Sequence, residues 1–462
     1  MSLDSRCYAV RGRWLALTVT VGALGMAGAA CSTPGGGAID DAPAIDAGVD
    51  GLSDGPSDAS GDAAPDAAVD AAPDAPPPPP PAVVLYPAGT RHSPITPTLV
   101  ARIQQIAAAG SHDVRVFAKV GDSITASADF VRCFDGSPDL GNHTSLAATI
   151  SDLRSGNAAG TSPFGRISRA AVGGTTASDV LAAPSTLQQE IADINPRFAV
   201  VMFGTNDVRQ GMSMAGFAAD LWTVIDDTIA RGVVPIMSTI PSLAGDPDAP
   251  RVPTFNLVVR AIAQGRGVPL VDLYGQLAPL PNRGLSSDDV HPSTAPVGAC
   301  SLTDASLQYG YNVRNLVTIE ALERARAALA GTASDATASM RTGSGTATDP
   351  FVGALPLLDL GDTRTGTAAI ASYPCNATPQ GGREVVYRID VASSMTIEAT
   401  AVDRNGVDVH VHLLAGAASP QACVASGNPR ASAVVGPGPV YIAVDTASGS
   451  TEGEFVLVVQ RL

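Results

Sequence analysis

The chain has 462 residues, enough for two or three domains, and a formal charge of −16. The charge is local: ten Asp and no Lys or Arg fall between residues 32 and 82. No basic patch appears elsewhere, which argues against nucleic acid as a partner. Hydrophobic residues reach 45% with only 4% aromatics, so the core must come mostly from Ala, Val and Leu.

Residues 1–31 read as an export signal. Arg6, Arg11 and Arg13 give a basic start, and Trp14 to Ala30 is an apolar stretch of small residues, too short and too rich in Gly for a membrane span. Gly28-Ala29-Ala30-Cys31 resembles a bacterial lipobox, with Cys31 as the lipidated first mature residue and the membrane as its partner. A plain secretory cut near Ala30 is the alternative. Residues 32–82 repeat Asp, Ala, Pro and Gly and end in the proline run Pro76 to Pro81. This composition cannot bury enough apolar area to offset ordering, so it predicts a disordered tether spanning on the order of 40 Å.

A first folded domain is expected over 83–330. Thr96-Pro97 opens a helix, with Leu99, Ile103 and Ile106 on one face. Val114 to Val120 reads as a strand that ends in Gly121-Asp122-Ser123. Gly165 to Val172 reads as a short strand carrying Gly173-Gly174. A helix over Val180 to Ile194 precedes a strand over Phe198 to Phe203, which ends in Gly204-Thr205-Asn206-Asp207. Phe217 to Ile229 is helical, Val233 to Ser238 a strand, Phe255 to Ala263 a helix and Val268 to Leu273 a last strand. Asp288-Asp289-Val290-His291 follows, and Leu316 to Leu329 closes the domain as an amphipathic helix. Alternating helices and apolar strands imply a parallel sheet covered on both faces. Asp122 and Asp207 read as structural supports of their turns.

Taken singly, these strand ends say little. Together, Gly-Asp-Ser, a Gly block, Gly-x-Asn-Asp and Asp-x-x-His stand in the order found in SGNH (GDSL-type) hydrolases, and residues 90–330 resemble that family. The resemblance implies a flavodoxin-like three-layer α/β/α sandwich. It makes Ser123 the nucleophile, His291 the general base and Asp288 the group that orients His291. It makes Gly174 and Asn206 the oxyanion donors, with the backbone N–H of Ser123. The chemistry asks for the same types: a hydroxyl needs a base to take its proton, His titrates near neutrality, and a carboxylate on the second ring nitrogen fixes the tautomer. Asp288 reaches back to His291 if the segment makes one helical turn. No cofactor is implied. The substrate expected is a carboxylic ester in an acyl lipid or an O-acylated polysaccharide. Acyl transfer to a sugar hydroxyl and a non-catalytic surface binding protein are the rival readings.

Residues 331–349 read as a linker. Beyond them, alternating strands over Glu384–Val391, Met395–Val402, Val407–Leu414, Val440–Thr446 and Phe455–Val459 predict an all-β sandwich over 350–462. It resembles the bacterial prepeptidase C-terminal type of domain. Cys133 and Cys300 fall in the first domain and Cys375 and Cys423 in the second. In an exported chain they suggest one disulfide per domain, although three pairings are formally possible. No Cys or His spacing indicates a metal site, and His410 and His412 are expected at outward polar positions of one strand face.

Overall fold

The structure, a computed structural model, describes residues 82–404 and 406–462. The expectations for the signal, for Cys31 and for nearly all of the tether lie outside the described residues. No helix among the described residues is long and apolar enough to cross a membrane.

Thr96 caps the first helix, α1 (Pro97–Ala108), its hydroxyl accepting from the Leu99 amide. Strand β1 (Asp113–Gly121) then runs into the short helix α2 (Ser123–Ala126). Helices α3 (Ala147–Arg154) and α4 (Thr186–Ile194) precede β2 (Pro196–Met202) and α5 (Thr205–Arg209). The chain continues through α6 (Met214–Ala230), β3 (Val234–Ser238), α7 (Val252–Arg266), β4 (Leu270–Val271), α8 (Leu273–Leu277) and α9 (Gly310–Leu329). The four strands form one parallel sheet in the order β1-β2-β3-β4. Every residue of β2 and β3 is buried, and since neighbouring side chains point to opposite faces, both faces are covered. This is the expected three-layer α/β/α arrangement.

Three elements differ from the sequence reading. No strand forms over 165–172; only an isolated bridge joins Ala171 to Gly121 on the free edge of β1. The segment is held by side chains instead, with the Glu190 carboxylate gripping the Arg166 guanidinium and the Arg169 amide. Helix α4 starts at Thr186 because Pro184 disfavours helix before it and Ser185 caps it. Helix α9 starts at Gly310, well ahead of Leu316, and its first turns bury Asn312, Arg314 and Asn315.

The C-terminal region adds strands β5 (Phe351–Gly353), β6 (Leu357–Asp362), β7 (Glu384–Val391), β8 (Met395–Asp403), β9 (Val409–Ala415), β10 (Cys423–Gly427), β11 (Arg430–Val435), β12 (Gly438–Thr446) and β13 (Glu454–Arg461). They pair in two sheets, β10-β9-β12-β7-β5 and β11-β8-β13-β6, and the all-β domain follows. On β9, Val409, Val411 and Leu413 enter the core between the sheets. His410 and His412 take the opposite face, as alternation requires. That face is not outward at His412, however. Ile370 and Tyr373 pack over it, so His412 is fully buried and the outward reading of this residue is corrected. Burial, with the charge of His410, pushes the His412 ring down to about 3.

All described residues fall in one compact unit. The outer faces of β6, β8 and β13 contribute Leu360, Val402, Val456 and Val458 to the same apolar cluster as the α/β core. At the rim, Arg266 reaches Asp226 at 2.6 Å and Glu454 at 2.6 Å. Arg404 also pairs with Asp226 and lies 3.9 Å from the centre of the Trp222 ring. At Gly265 of α7 the two regions approach so closely that a Cβ would run into the Leu360 side chain. Alanine there gains up to about 1 kcal/mol of helix propensity but meets an overpacking cost of about 1–3 kcal/mol. Gly265→Ala is therefore expected to lower stability by on the order of 1 kcal/mol, read as a lower urea midpoint with an unchanged slope.

Candidate active site

The parallel strands place three of the four motifs at one sheet edge. β1 delivers Ser123 as the first residue of α2, and Asp122 caps that helix by accepting from the Ile124 amide at 3.0 Å. β2 delivers Asn206 on α5. The Gly block lies beside β1, tied by Gly121 N–H to Ala170 O at 2.9 Å and Val172 N–H to Gly121 O at 3.1 Å. The fourth motif arrives on the loop after α8.

Ser123 Oγ lies 2.8 Å from His291 Nε2. His291 Nδ1 lies 2.6 Å from Asp288 Oδ2. Asp288 Oδ1 accepts from the Val290 and His291 amides and from the Ser286 hydroxyl, at 3.0, 2.9 and 2.8 Å. Partial burial works against its charge, but those amides, the His291 ring and Ser286 hold the carboxyl well below the usual carboxylate range. Asp288 therefore stays ionised as an acceptor for the ring N–H. The helical turn expected between Asp288 and His291 does not form. Asp289 takes a left-handed conformation (φ 61°), Ser286 N–H donates to His291 O at 2.8 Å, and Pro292 disfavours helix at His291. A tight loop closes the same spacing.

A Cβ at Gly173 would lie 3.7 Å from Ser123 Cβ, whereas one at Gly174 would meet nothing within 4 Å. The Asn206 side chain is buried, and its amide donates to Thr175 O at 3.0 Å, leaving a second N–H on the same nitrogen. Gly174 O in turn accepts from Gln210 at 3.1 Å. Asp207 ties the two motifs together by accepting from the Ala177 amide at 3.1 Å. The His291–Asp288 pair can activate the Ser123 hydroxyl, which acyl transfer needs. Most of it is open: the His291 side chain is 36% exposed and Asp288 50%.

Four supports escape sequence reasoning. The buried Arg314 donates to Ile124 O at 2.6 Å and to the Thr125 hydroxyl at 2.8 Å, and Tyr311 donates to Ile124 O at 3.1 Å. Asn312 and Asn315 pin the loop after His291 at Ala295, Gly298, Ala299 and Ser301. The sequence signal is Tyr311-Asn312-x-Arg314-Asn315, a polar run at the head of a helix otherwise bound for the core. A disulfide between Cys133 and Cys300 joins the Ser123 side to the His291 side, and a second joins Cys375 to Cys423.

Residues 120–295 match the sequence model of the GDSL-like lipase/acylhydrolase family. That match spans 176 of the chain's 462 residues. The chain is accordingly a hydrolase acting on ester bonds. No curated protein sequence matches the chain. Among solved structures it is similar to a GDSL-like lipase from Bacteroides thetaiotaomicron, at 17% identity and a TM-score of 0.33, over 49% of this chain and 98% of that one. It is similar to an acetyl xylan esterase from Geobacillus stearothermophilus at 18% identity and a TM-score of 0.30, over 46% and 95% of the two chains. The pre-peptidase C-terminal domain of a Bacillus anthracis collagenase is similar at 18% identity and a TM-score of 0.18, over 24% and 92%.

Two buried carboxyls of the GDSL-like region set a pH dependence. Burial raises Asp122 to about 6, against the pull of the Ile124 amide, Arg314 and His291. Burial also raises Asp207 to about 6, with the Ala177 amide opposing and the Asp122 charge adding. Between the ordinary carboxylate value near 4 and about 6, the folded chain holds protons that the unfolded chain has released. These groups therefore make stability fall as pH rises through that window. Asp207→Asn is expected to flatten the fall, which paired urea titrations at pH 4.5 and 7 measure. Removing the Cys133–Cys300 bond as the double Ser variant is expected to cost about 2–5 kcal/mol, read in the same titration.

Proposed function

We propose that the protein is an exported serine esterase that cleaves carboxylic esters with Ser123, His291 and Asp288. The observation that carries this reading is the unbroken chain from Ser123 Oγ through both ring nitrogens of His291 to Asp288, at 2.8 and 2.6 Å.

In this reading Ser123 Oγ attacks the ester carbonyl carbon while His291 Nε2 takes its proton. Asp288 keeps the ring turned and balances the imidazolium. The oxyanion is met by the Ser123 N–H, a backbone N–H of the Gly173-Gly174 pair and the Asn206 side chain. The alcohol leaves with the proton from His291. A water then attacks the acyl-enzyme by the same base, freeing the acid and restoring Ser123. Export is inferred from residues 1–31, either as a cell-envelope lipoprotein anchored through Cys31 or as a secreted protein. The openness of the His291 side favours large substrates, O-acylated glycans or acyl lipids, over small enclosed ones. Exposed Val172, beside the Gly block, adds apolar surface there.

Hydrolysis of p-nitrophenyl acetate, butyrate and octanoate tests the reading. Ser123→Ala and His291→Ala are each expected to lower kcat by at least about 10³-fold, and Asn206→Ala by about 10²–10³. Wild type no faster than Ser123→Ala on every ester, and on acetylated glycan, would overturn it.

A further inference from the structure

A second constellation lies in the β domain, away from Ser123. Cys375, Cys423 and His412 each offer one ligand atom, and the three atoms lie within 4.8 Å of one another. They come from separate elements: Cys375 from the loop before β7, Cys423 from the start of β10 and His412 from β9. The fold makes this group, which is why no sequence spacing announces it.

His412 is the observation that points to a ligand. It is fully buried, and neither Nδ1 nor Nε2 has a hydrogen-bond partner. A buried polar group left unpaired costs about 1–3 kcal/mol, so native structures rarely keep one without a use. The ring is also held in orientation. Tyr373 stacks on it with centroids 3.7 Å apart and planes 11° apart, and the Tyr373 hydroxyl donates to Asp445 Oδ2 at 3.0 Å. The stack fixes the plane of the ring and leaves both of its nitrogens unpaired. Cys375 and Cys423 are only partly buried, which leaves an entry path.

Two sulfurs and one imidazole nitrogen make a soft donor set, suited to Zn2+ or Cu+ and unsuited to Ca2+ or Mg2+. Tetrahedral Zn2+ with sulfur at about 2.3 Å and nitrogen at about 2.0 Å sets such ligands about 3.5–3.8 Å from one another, so the two bonded sulfurs must part on reduction, and the His412 nitrogen, now within 4.8 Å of them, stays in reach. We propose that Cys375, Cys423 and His412 form a redox-gated site for one thiophilic d10 cation, closed while the Cys375–Cys423 bond is intact and open once it is reduced. A dithiol delivers two electrons and two protons to the S–S bond and becomes a disulfide itself. The two thiols then release two protons as their thiolates take the cation, and His412 supplies its lone pair. With three protein ligands, one position on Zn2+ stays for water.

The test uses the full chain, oxidised or reduced under argon, then loaded with Zn2+ and desalted for metal analysis. Co2+ serves as a second probe through its thiolate charge-transfer absorption. The reduced protein is expected to retain one Zn2+ per chain and the oxidised protein none. Cys133→Ser/Cys300→Ser, which leaves the site intact, is expected to bind as wild type does. His412→Phe keeps a ring against Tyr373 and removes only the nitrogens, so it is expected to fold, as circular dichroism checks, and to bind at least tenfold more weakly. Cys375→Ser/Cys423→Ser is expected to lose the Co2+ band. Reduced wild type that retains no more Zn2+ than this double variant, or His412→Phe that binds as tightly as wild type, would overturn the proposal.

Discussion

The candidate active site depends on how closely β1 and β2 approach at their carboxyl ends. A Cβ at position 121 would lie 2.5 Å from the Met202 carbonyl oxygen, so only glycine lets the two strands finish side by side. That pairing, Gly121 opposite Met202, is the last of the β1–β2 ladder. It brings Ser123 and Asn206, which are far apart in the chain, to one edge. It also lets the free side of Gly121 take the Ala170–Val172 backbone and so adds the Gly block. A larger residue at 121 would separate Ser123 from Asn206 and the Gly block before Ser123, His291 or Asp288 was touched.

The parts of this arrangement that were legible in the sequence are those that repeat a local rule. Thr96-Pro97 announced α1 because capping is decided within one turn. Val114 to Val120 announced β1 because an apolar, β-branched run has few other homes. The segment 165–172 was misread because its apolar residues mimic a strand while Arg166 and Arg169 are spent on Glu190 and Asp193, contacts set by a helix about twenty residues away. The head of α9 was missed for the opposite reason. A helix that buries Asn312, Arg314 and Asn315 defeats any test that takes polar residues as solvent-facing. His412 belongs to the same class: alternation gave its face correctly, but only the fold could say that Tyr373 covers that face.

Across the molecule, buried polarity marks where segments distant in sequence must be held in register. The β sandwich meets the α/β domain chiefly through apolar side chains around Leu360 and Val458, while the charged pairs of Arg266 and Arg404 stand at the rim. Apolar packing supplies the attraction, and the ion pairs with Asp226 and Glu454 fix orientation.

The same division explains how a 2.8 Å contact between Ser123 and His291 can persist across 168 positions of sequence. Functional side chains must be held within about 0.5 Å, and an open loop does not supply that by itself. The His291 loop is therefore tied at several points. Asp289 O accepts from the Ala244 amide, Thr294 donates to Asp129 at 2.9 Å, Asn312 and Asn315 hold the following turns, and Cys300 is bonded to Cys133. Asp129 and Cys133 sit a few residues past Ser123, so these two ties run directly between the halves that must meet. The loop can then leave the His291 and Asp288 side chains exposed without leaving them loose.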